Sequence, residues 1–384
     1  MNIAVVTPTL TPYRDPFWNT VAKQPNVDLH VFYCTKGTSD RPWEADWQLD
    51  FHGEVLPGRA LAGNGSCYWN PSVARRLAES QCDAILLGGY NHPTMVRAIL
   101  YARRRRIPYY LMCESFLGLR RATYRKILKT PFVRWVVKHA RGILPTGTLA
   151  REYLIHYGGN AEACCFVPNS PDLDRLRTLA RELAPDRKRL RAARGWGDEP
   201  VIIYVGRLIW KKGVDVLLRA MKHVVETRSA RLVVAGDGVE RPKLEALAAE
   251  LGIADRVDFP GFLQPDELPE WYAAADVFTL PSLTEPWGVV VMEALAAGLP
   301  VVVTELVGCH PDVVNDPRVG SVVPPGKPEP LAEALIRHLD ERLDKETIHT
   351  LWDPVYRRTR HAAVAEKLVD LLRRTANEPT HAIR

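Results

Sequence analysis

Two glutamates in the run TEPWGVVVMEALAAGLP, Glu285 and Glu293, are separated by seven residues and straddle a loop-to-helix transition. Glu285 falls in the loop and Glu293 in the helix. Gly288 opens that helix, so its free backbone N–H groups and positive dipole end form an anion site beside Glu285. At about 1.5 Å per residue, Gly288 to Glu293 spans roughly 7 to 8 Å, comparable to the reach from a diphosphate to its ribose. One carboxylate would hold ribose hydroxyls while the other meets a sugar. Glu293 is also the only charged residue from Pro286 to Val303, and an ionised group in so apolar a helix needs a partner.

A second group of residues suits the same ligand. In VIIYVGRLIWKKGVDVLL an apolar strand ends at Gly206 and delivers Arg207, Lys211 and Lys212 ahead of a helix. Arg207 offers a planar fork to phosphate oxygens and Lys212 a compact charge, whereas Lys211 reads as a solvated lysine. Gly236, Asp237 and Gly238 end the next strand, where glycines admit close backbone approach or simply make a turn. Phe262 and Leu263, after RVDFPG, lie where a nucleobase could rest. In the first half, Asn91 and His92 in GGYNHP follow another strand, with a lone histidine at a helix start more often structural than functional.

The elements that must position these residues alternate from the start. Apolar runs NIAVV, DLHVFY, AILLGG, YYLMC, ILPTG and CCFVP are separated by helical patterns, and after a charged stretch from Asp172 to Pro200 a second series follows: VIIYVG, RLVVAG, RVDFPG, VFTLP, PVVVT and GSVVP. Such alternation reads as parallel α/β architecture. The expected division is a domain at 1–171, a charged junction at 172–200, a second domain at 201–352 and a last amphipathic stretch at 353–376 beginning at the breaker Asp353-Pro354. In open parallel sheets ligands bind beyond the carboxyl ends of strands, where the residues above fall.

Composition excludes several classes. Hydrophobic residues make up 46% and charged residues 25%, as in an ordinary globular protein. No run reaches the roughly 18 apolar residues of a spanning helix, the N-terminus has no signal-peptide core, and the seven cysteines lack paired zinc-site spacing. These features point to a reduced, cytoplasmic setting. No G-x-G-x-x-G follows the first strand of either half and no P-loop occurs, which argues against nicotinamide and P-loop enzymes. The formal net charge of +6 is too small to imply nucleic acid, but it hides an asymmetry. Residues 101–150 hold 12 Lys/Arg against the single acid Glu114, and residues 251–350 hold six against 17 Asp/Glu.

The order Gly206-Arg207-Leu208, Lys212-Gly213, Gly236-Asp237-Gly238, Val257-x-Phe259-x-Gly261 and Glu285-Pro286-Trp287-Gly288 to Glu293 resembles the retaining glycosyltransferases of family four. The resemblance is specific over roughly 200–325. It implies the GT-B fold, two doubly wound Rossmann-like domains facing across a cleft, with the C-terminal helix crossing back to the first. It also implies a nucleotide-diphosphate sugar held mainly by the second domain: Arg207 and Lys212 on the diphosphate, Glu293 on the ribose, Glu285 on the donor sugar, with Pro286, Trp287, Gly288 and Val289 around the donor. The N-terminal half departs from the common pattern. Pro12, Tyr13 and Arg14 stand where many members have a glycine pair, resembling a Pro-Tyr-Arg subgroup, and Glu114 stands where many carry a histidine. Tyr13, Arg14, Asn91, His92 and Glu114 are therefore the acceptor-side candidates.

The implied reaction is sugar transfer with retention to an acceptor hydroxyl, in glycan, glycolipid or polysaccharide biosynthesis. A UDP-sugar is preferred over GDP-mannose, and no cofactor or metal is expected, because Arg207, Lys212 and the Gly288 helix start oppose the departing charge. Asp172-x-Asp174, the only D-x-D, reads as a helix cap rather than a metal site. The alternatives are transfer to a small natural product, or an epimerase or sugar phosphorylase on the same fold. Residues 117–141 carry eight Lys/Arg and no acid, interleaved with Leu119, Phe132, Trp135 and Val136, as a segment meeting an anionic membrane surface would be; the other reading is a solvated helix face.

Overall fold

The computed structural model describes residues 1–11, 13–37, 49–61, 67–118 and 123–376. It divides into two compact units, Met1–Pro171 with Thr359–Arg384, and Asp172–Arg358. Pro12, Arg120, Arg121 and Leu119 lie outside the described residues, as do the side chains of 123–128.

The first unit is built on β1 (Asn2–Thr9), β2 (Asp28–Thr35), β3 (His52–Val55), β4 (Ala84–Leu87), β5 (Tyr109–Cys113) and β6 (Gly142–Pro145), in spatial order β3-β2-β1-β4-β5-β6. The second repeats the plan with β7 (Val201–Val205), β8 (Arg231–Ala235), β9 (Val257–Gly261), β10 (Val277–Leu280), β11 (Val301–Thr304) and β12 (Gly320–Val323), in order β9-β8-β7-β10-β11-β12. All pairings in both sheets are parallel. Parallel strands covered on both faces read as continuous apolar runs, and VIIYV is buried at every position. The order switches direction beside β1 and β7, and there the loops after neighbouring strands diverge to leave room for a ligand.

Three expectations need correction. CCFVP does not become a sheet strand: it runs beside β6 with one bridge, Ile143 to Cys164, where Cys165 and Val167 N–H donate to the Ile143 and Pro145 carbonyls at 3.1 and 2.9 Å but Pro145 has no N–H to return a bond. The charged junction at 172–200 is part of the second unit, its helices Leu173–Leu183 and Arg187–Ala192 joined by a single turn. Arg187 donates to the carbonyls of Ala273 and Ala275 at 2.7 and 2.8 Å, and Arg191 to that of Ala274 at 3.0 Å. Both also meet Asp276, so the charges satisfy the open end of helix Leu268–Ala274. Finally, Asp353-Pro354 breaks nothing. Pro354 sits inside helix Lys345–Thr359, where fully buried Trp352 donates to the Val313 carbonyl at 3.1 Å and Asp353 pairs with Arg177 at 3.0 Å. That burial outweighs the cost of an internal proline.

The last helix, His361–Ala376, belongs to the first unit. Val364, Leu368 and Leu372 join Phe17, Trp18 and Val21 in one apolar cluster, and His361 Nε2 lies 2.9 Å from the Ser170 carbonyl. Helix Thr123–Lys138 continues through Pro131. Val136 is fully buried in the first unit's core and so is not available to an outside surface, whereas Trp135 is half-buried with Arg103 over its ring at 5.0 Å; Phe132, Lys129, Arg134 and Lys138 are exposed. Among the described residues, no helix is long and apolar enough to cross a membrane.

Candidate functional site

Beyond the carboxyl end of β7 the chain leaves the sheet through Gly206 and half-buried Arg207, then makes a single turn at Trp210–Lys212. That turn is tied to the loop after β10: the Lys211 carbonyl accepts from the N–H groups of Leu283 and Thr284 at 2.8 and 3.3 Å. The backbone link places Lys212 Nζ in a salt bridge with the Glu285 carboxylate, with only 15% and 16% of the two side chains exposed. An ion pair so removed from water interacts more strongly than a surface pair, and removal of either member leaves the other charge uncompensated.

The Glu285 loop is fastened on its other side as well. Glu285 N–H donates to Leu306 O at 2.9 Å, Gly308 N–H to Glu285 O at 2.9 Å and Cys309 N–H to Trp287 O at 3.0 Å. Gly288 then caps helix Val289–Ala296 at φ +99° with no side chain capping it, a left-handed conformation that costs a residue with a Cβ. The Trp287 side chain is 3% exposed within the core, which leaves its backbone as the part that could meet a ligand. Pro286 and Val289 are half-buried at the loop and helix start.

Glu293 has the partner its apolar helix demands. The Tyr272 hydroxyl donates to Glu293 Oε2 at 3.1 Å. Burial pushes the Glu293 carboxyl from 4.5 up to about 7, against the opposing effect of that hydrogen bond. The Glu293 proton is thus exchangeable near neutrality, and any further donor to the carboxylate would favour the ionised form. Tyr272 was not legible as part of the site, since it lies in an ordinary apolar helix 21 positions earlier.

Gly236 brings two strand ends together: a Cβ there would stand 1.9 Å from the Gly206 carbonyl oxygen. The Asp237 carbonyl accepts from Leu208 N–H at 2.8 Å, and its carboxylate accepts from Gly238 N–H at 2.8 Å. Phe262 is 40% exposed just past β9 while Leu263 packs against the core, leaving a free aromatic face at the rim.

The corresponding loops of the first unit hold a different arrangement. Arg14 donates to the Asn169 side-chain oxygen, and the Asn169 amide donates to Glu114 Oε2 at 2.9 Å. Arg14 and Glu114 are thereby linked through a residue the sequence did not single out. Burial lowers the Arg14 guanidinium, while Tyr13, Glu114 and Asp15 act to raise it. Asp15, 1% exposed, accepts from Tyr33 hydroxyl at 2.7 Å and Thr11 N–H at 3.0 Å, and burial pushes it up to about 6. His92 makes a different contact: its Nδ1 accepts from Tyr68 N–H at 3.3 Å, and burial lowers the imidazole. Asn91 is exposed and lines a groove of about 450 Å³ with Trp69, Tyr90, Arg97 and Phe132. Asp172 caps helix Leu173–Leu183, accepting from Arg175 N–H at 3.0 Å.

Residues 186–350 match the family of glycosyl transferases group 1. The chain is 33% identical over 216 residues to 2-deoxystreptamine glucosyltransferase of Streptomyces kanamyceticus, covering 56% of this chain and 55% of that protein. It is 32% identical over 231 residues to a GDP-mannose-dependent alpha-(1-6)-phosphatidylinositol monomannoside mannosyltransferase of Mycobacterium tuberculosis, covering 56% and 57%. The aligned segments thus span little more than half the length of these relatives. In three dimensions it resembles Anabaena HepE in complex with UDP, with a TM-score of 0.75 at 19% identity, covering 97% of this chain and all of the other. That likeness establishes the architecture as GT-B.

Proposed function

We propose that the protein is a glycosyltransferase that moves a sugar from a nucleoside-diphosphate sugar to an acceptor hydroxyl with retention of anomeric configuration. The observation that carries this reading is the enclosed Lys212–Glu285 pair, set where β7 and β10 end and followed by the uncapped start of the helix that bears Glu293. A diphosphate entering there competes with Glu285 for Lys212, and Arg207 and the helix N–H groups supply further positive charge where the leaving group gathers electrons. Glu285, released from Lys212, faces the donor sugar. Ribose hydroxyls donating to Glu293 join Tyr272 in favouring its ionised form, and the exposed Phe262 ring offers a surface for the base. In front-face transfer the departing phosphate oxygen takes the proton of the attacking hydroxyl, and these protein cations stabilise the diphosphate without a metal.

Arg14, Asn169 and Glu114, with Tyr13, Asn91 and His92, are the residues we assign to the acceptor. The 2-deoxystreptamine glucosyltransferase and the phosphatidylinositol monomannoside mannosyltransferase support a hexose as the sugar moved, with either a small molecule or a lipid-linked acceptor. The solved UDP complex supports a UDP-sugar for this chain. Exposed Lys129, Phe132, Arg134 and Lys138 support a membrane-associated acceptor, reached by peripheral contact with anionic lipid. A thermal-shift series with UDP, GDP, ADP and dTDP tests the donor assignment, since a bound ligand raises the melting temperature by mass action. UDP should give the largest shift; no shift with any of the four would refute the site. Co-sedimentation with anionic but not neutral vesicles, released by salt, tests the acceptor setting, and protein left in the supernatant with both would refute it.

A further inference from the structure

The outer edge of the first sheet carries a cluster for which sugar transfer has no use. β2 and β3 run parallel with His30 opposite His52. Asp28 and His30 are two apart on one strand and so project from the same face. The register therefore gathers a carboxylate and two imidazoles on one patch. His30 Nε2 lies 3.5 Å from one Asp28 oxygen and His52 Nε2 lies 3.8 Å from the other. The imidazoles are stacked, with centroids 4.8 Å apart and planes inclined by 20°, and one ligand atom from each of the three residues falls within 4.8 Å of the others.

These separations are longer than good hydrogen bonds, yet they suit ligands of a shared ion. Tetrahedral bonds of about 2.0–2.1 Å place neighbouring ligand atoms roughly 3.3 Å apart. His52 is 73% exposed and Asp28 53%, so small side-chain rotations close the difference without disturbing the core. His30 is anchored, stacking on Phe32 at 6.3 Å. The nearby Glu54 is occupied by Arg76 at 2.9 Å and is not needed as a ligand. Two imidazole nitrogens and one carboxylate oxygen favour zinc, cobalt, nickel or copper over magnesium or calcium.

We propose that Asp28, His30 and His52 bind one divalent first-row transition-metal ion, which clips the edge strand β3 to β2. The ion completes its shell with water and takes no part in sugar transfer. Its loss should leave nucleotide binding intact.

The test uses the full chain without an affinity tag, stripped with EDTA and titrated with zinc chloride by calorimetry. One equivalent should bind, and zinc should raise the melting temperature. His52→Ala and Asp28→Asn, both at exposed positions, should each weaken zinc binding on the order of tenfold or more, at least the loss seen when a ligand's supporting contacts are removed. His223→Ala, at an exposed position of helix Val214–Thr227 in the second unit, should bind as the parent does. Titration with cobalt should give the visible absorption of a nitrogen- and oxygen-ligated ion, absent in His52→Ala. No saturable zinc binding by the parent, or undiminished binding by both ligand variants, would overturn the proposal.

Discussion

The two sheets share one strand order, yet the loops at their carboxyl ends are chemically unlike. In the second unit, strand ends are locked by backbone contacts, Lys211 to Leu283 and Glu285 to Leu306, around a mostly buried ion pair and a carboxyl at about 7. In the first, a neutral amide joins Arg14 to Glu114, and Glu114 is exposed. The same topology thus supports a direct, enclosed ion pair in one unit and, in the other, two charges joined through an amide. Sheet order fixes where ligands can bind; loop residues decide which ligands.

Substitutions can break this contrast. The largest effect should come from Lys212→Ala and Glu285→Gln, each lowering turnover on the order of 100- to 1,000-fold if it removes stabilisation of the departing diphosphate or of the sugar. Steady-state kinetics would show this, and parent-like turnover would remove the residue from the site. Arg14→Ala should cost about tenfold in kcat/KM for the acceptor, the scale of a lost charged hydrogen bond, while the nucleotide-induced melting shift stays unchanged. Loss of that shift would erase the division of labour between the units.

Glu293 sharpens the contrast through pH. Its folded-state value of about 7 lies above the ordinary 4.5, so the folded chain holds the proton more tightly than the unfolded one. Stability from this group is present at low pH and falls as pH rises from the ordinary carboxylate range through about 7. Glu293→Gln should therefore raise the melting temperature relative to the parent at about pH 8 and much less at about pH 5. The same variant should bind nucleotide more weakly, and parental affinity should decline as pH falls below about 7. Equal melting differences at both pH values would contradict the buried-carboxyl account. The smallest expected effect is that of EDTA, which should leave transfer unchanged; activity lost and restored only by added manganese or magnesium would refute a diphosphate site built on protein cations.

Much of this was readable in the residues because buried parallel strands are continuous apolar runs: VIIYV and AILL could hardly be anything else. β3 escaped notice because HGEV is a short, largely exposed edge strand with no apolar run to betray it. CCFVP misled for the opposite reason, being apolar but lying beside Pro145, which has no N–H to return to it. Glu293 was legible as a charge out of place in an apolar helix, and Lys212 and Glu285 as charges in the loops that follow apolar strands. Tyr272 and Asn169 were not, since a hydroxyl or amide becomes part of a site only through the tertiary contact that gives it a partner. Lys345 belongs with them: its amine donates to the Tyr272 and Ala273 carbonyls at 2.8 and 3.1 Å and burial lowers it from 10.5 to about 7, which nothing in the local pattern announces.

We propose that the strand ends of the second unit hold a nucleoside diphosphate. Calorimetric titration of the full chain with UDP and GDP, alongside Lys212→Ala and Glu293→Ala, tests it most directly. One saturable equivalent should bind the parent, with affinity reduced in both variants and preserved in Arg14→Ala. Binding of neither nucleotide, or parental affinity in both Lys212→Ala and Glu293→Ala, would contradict it.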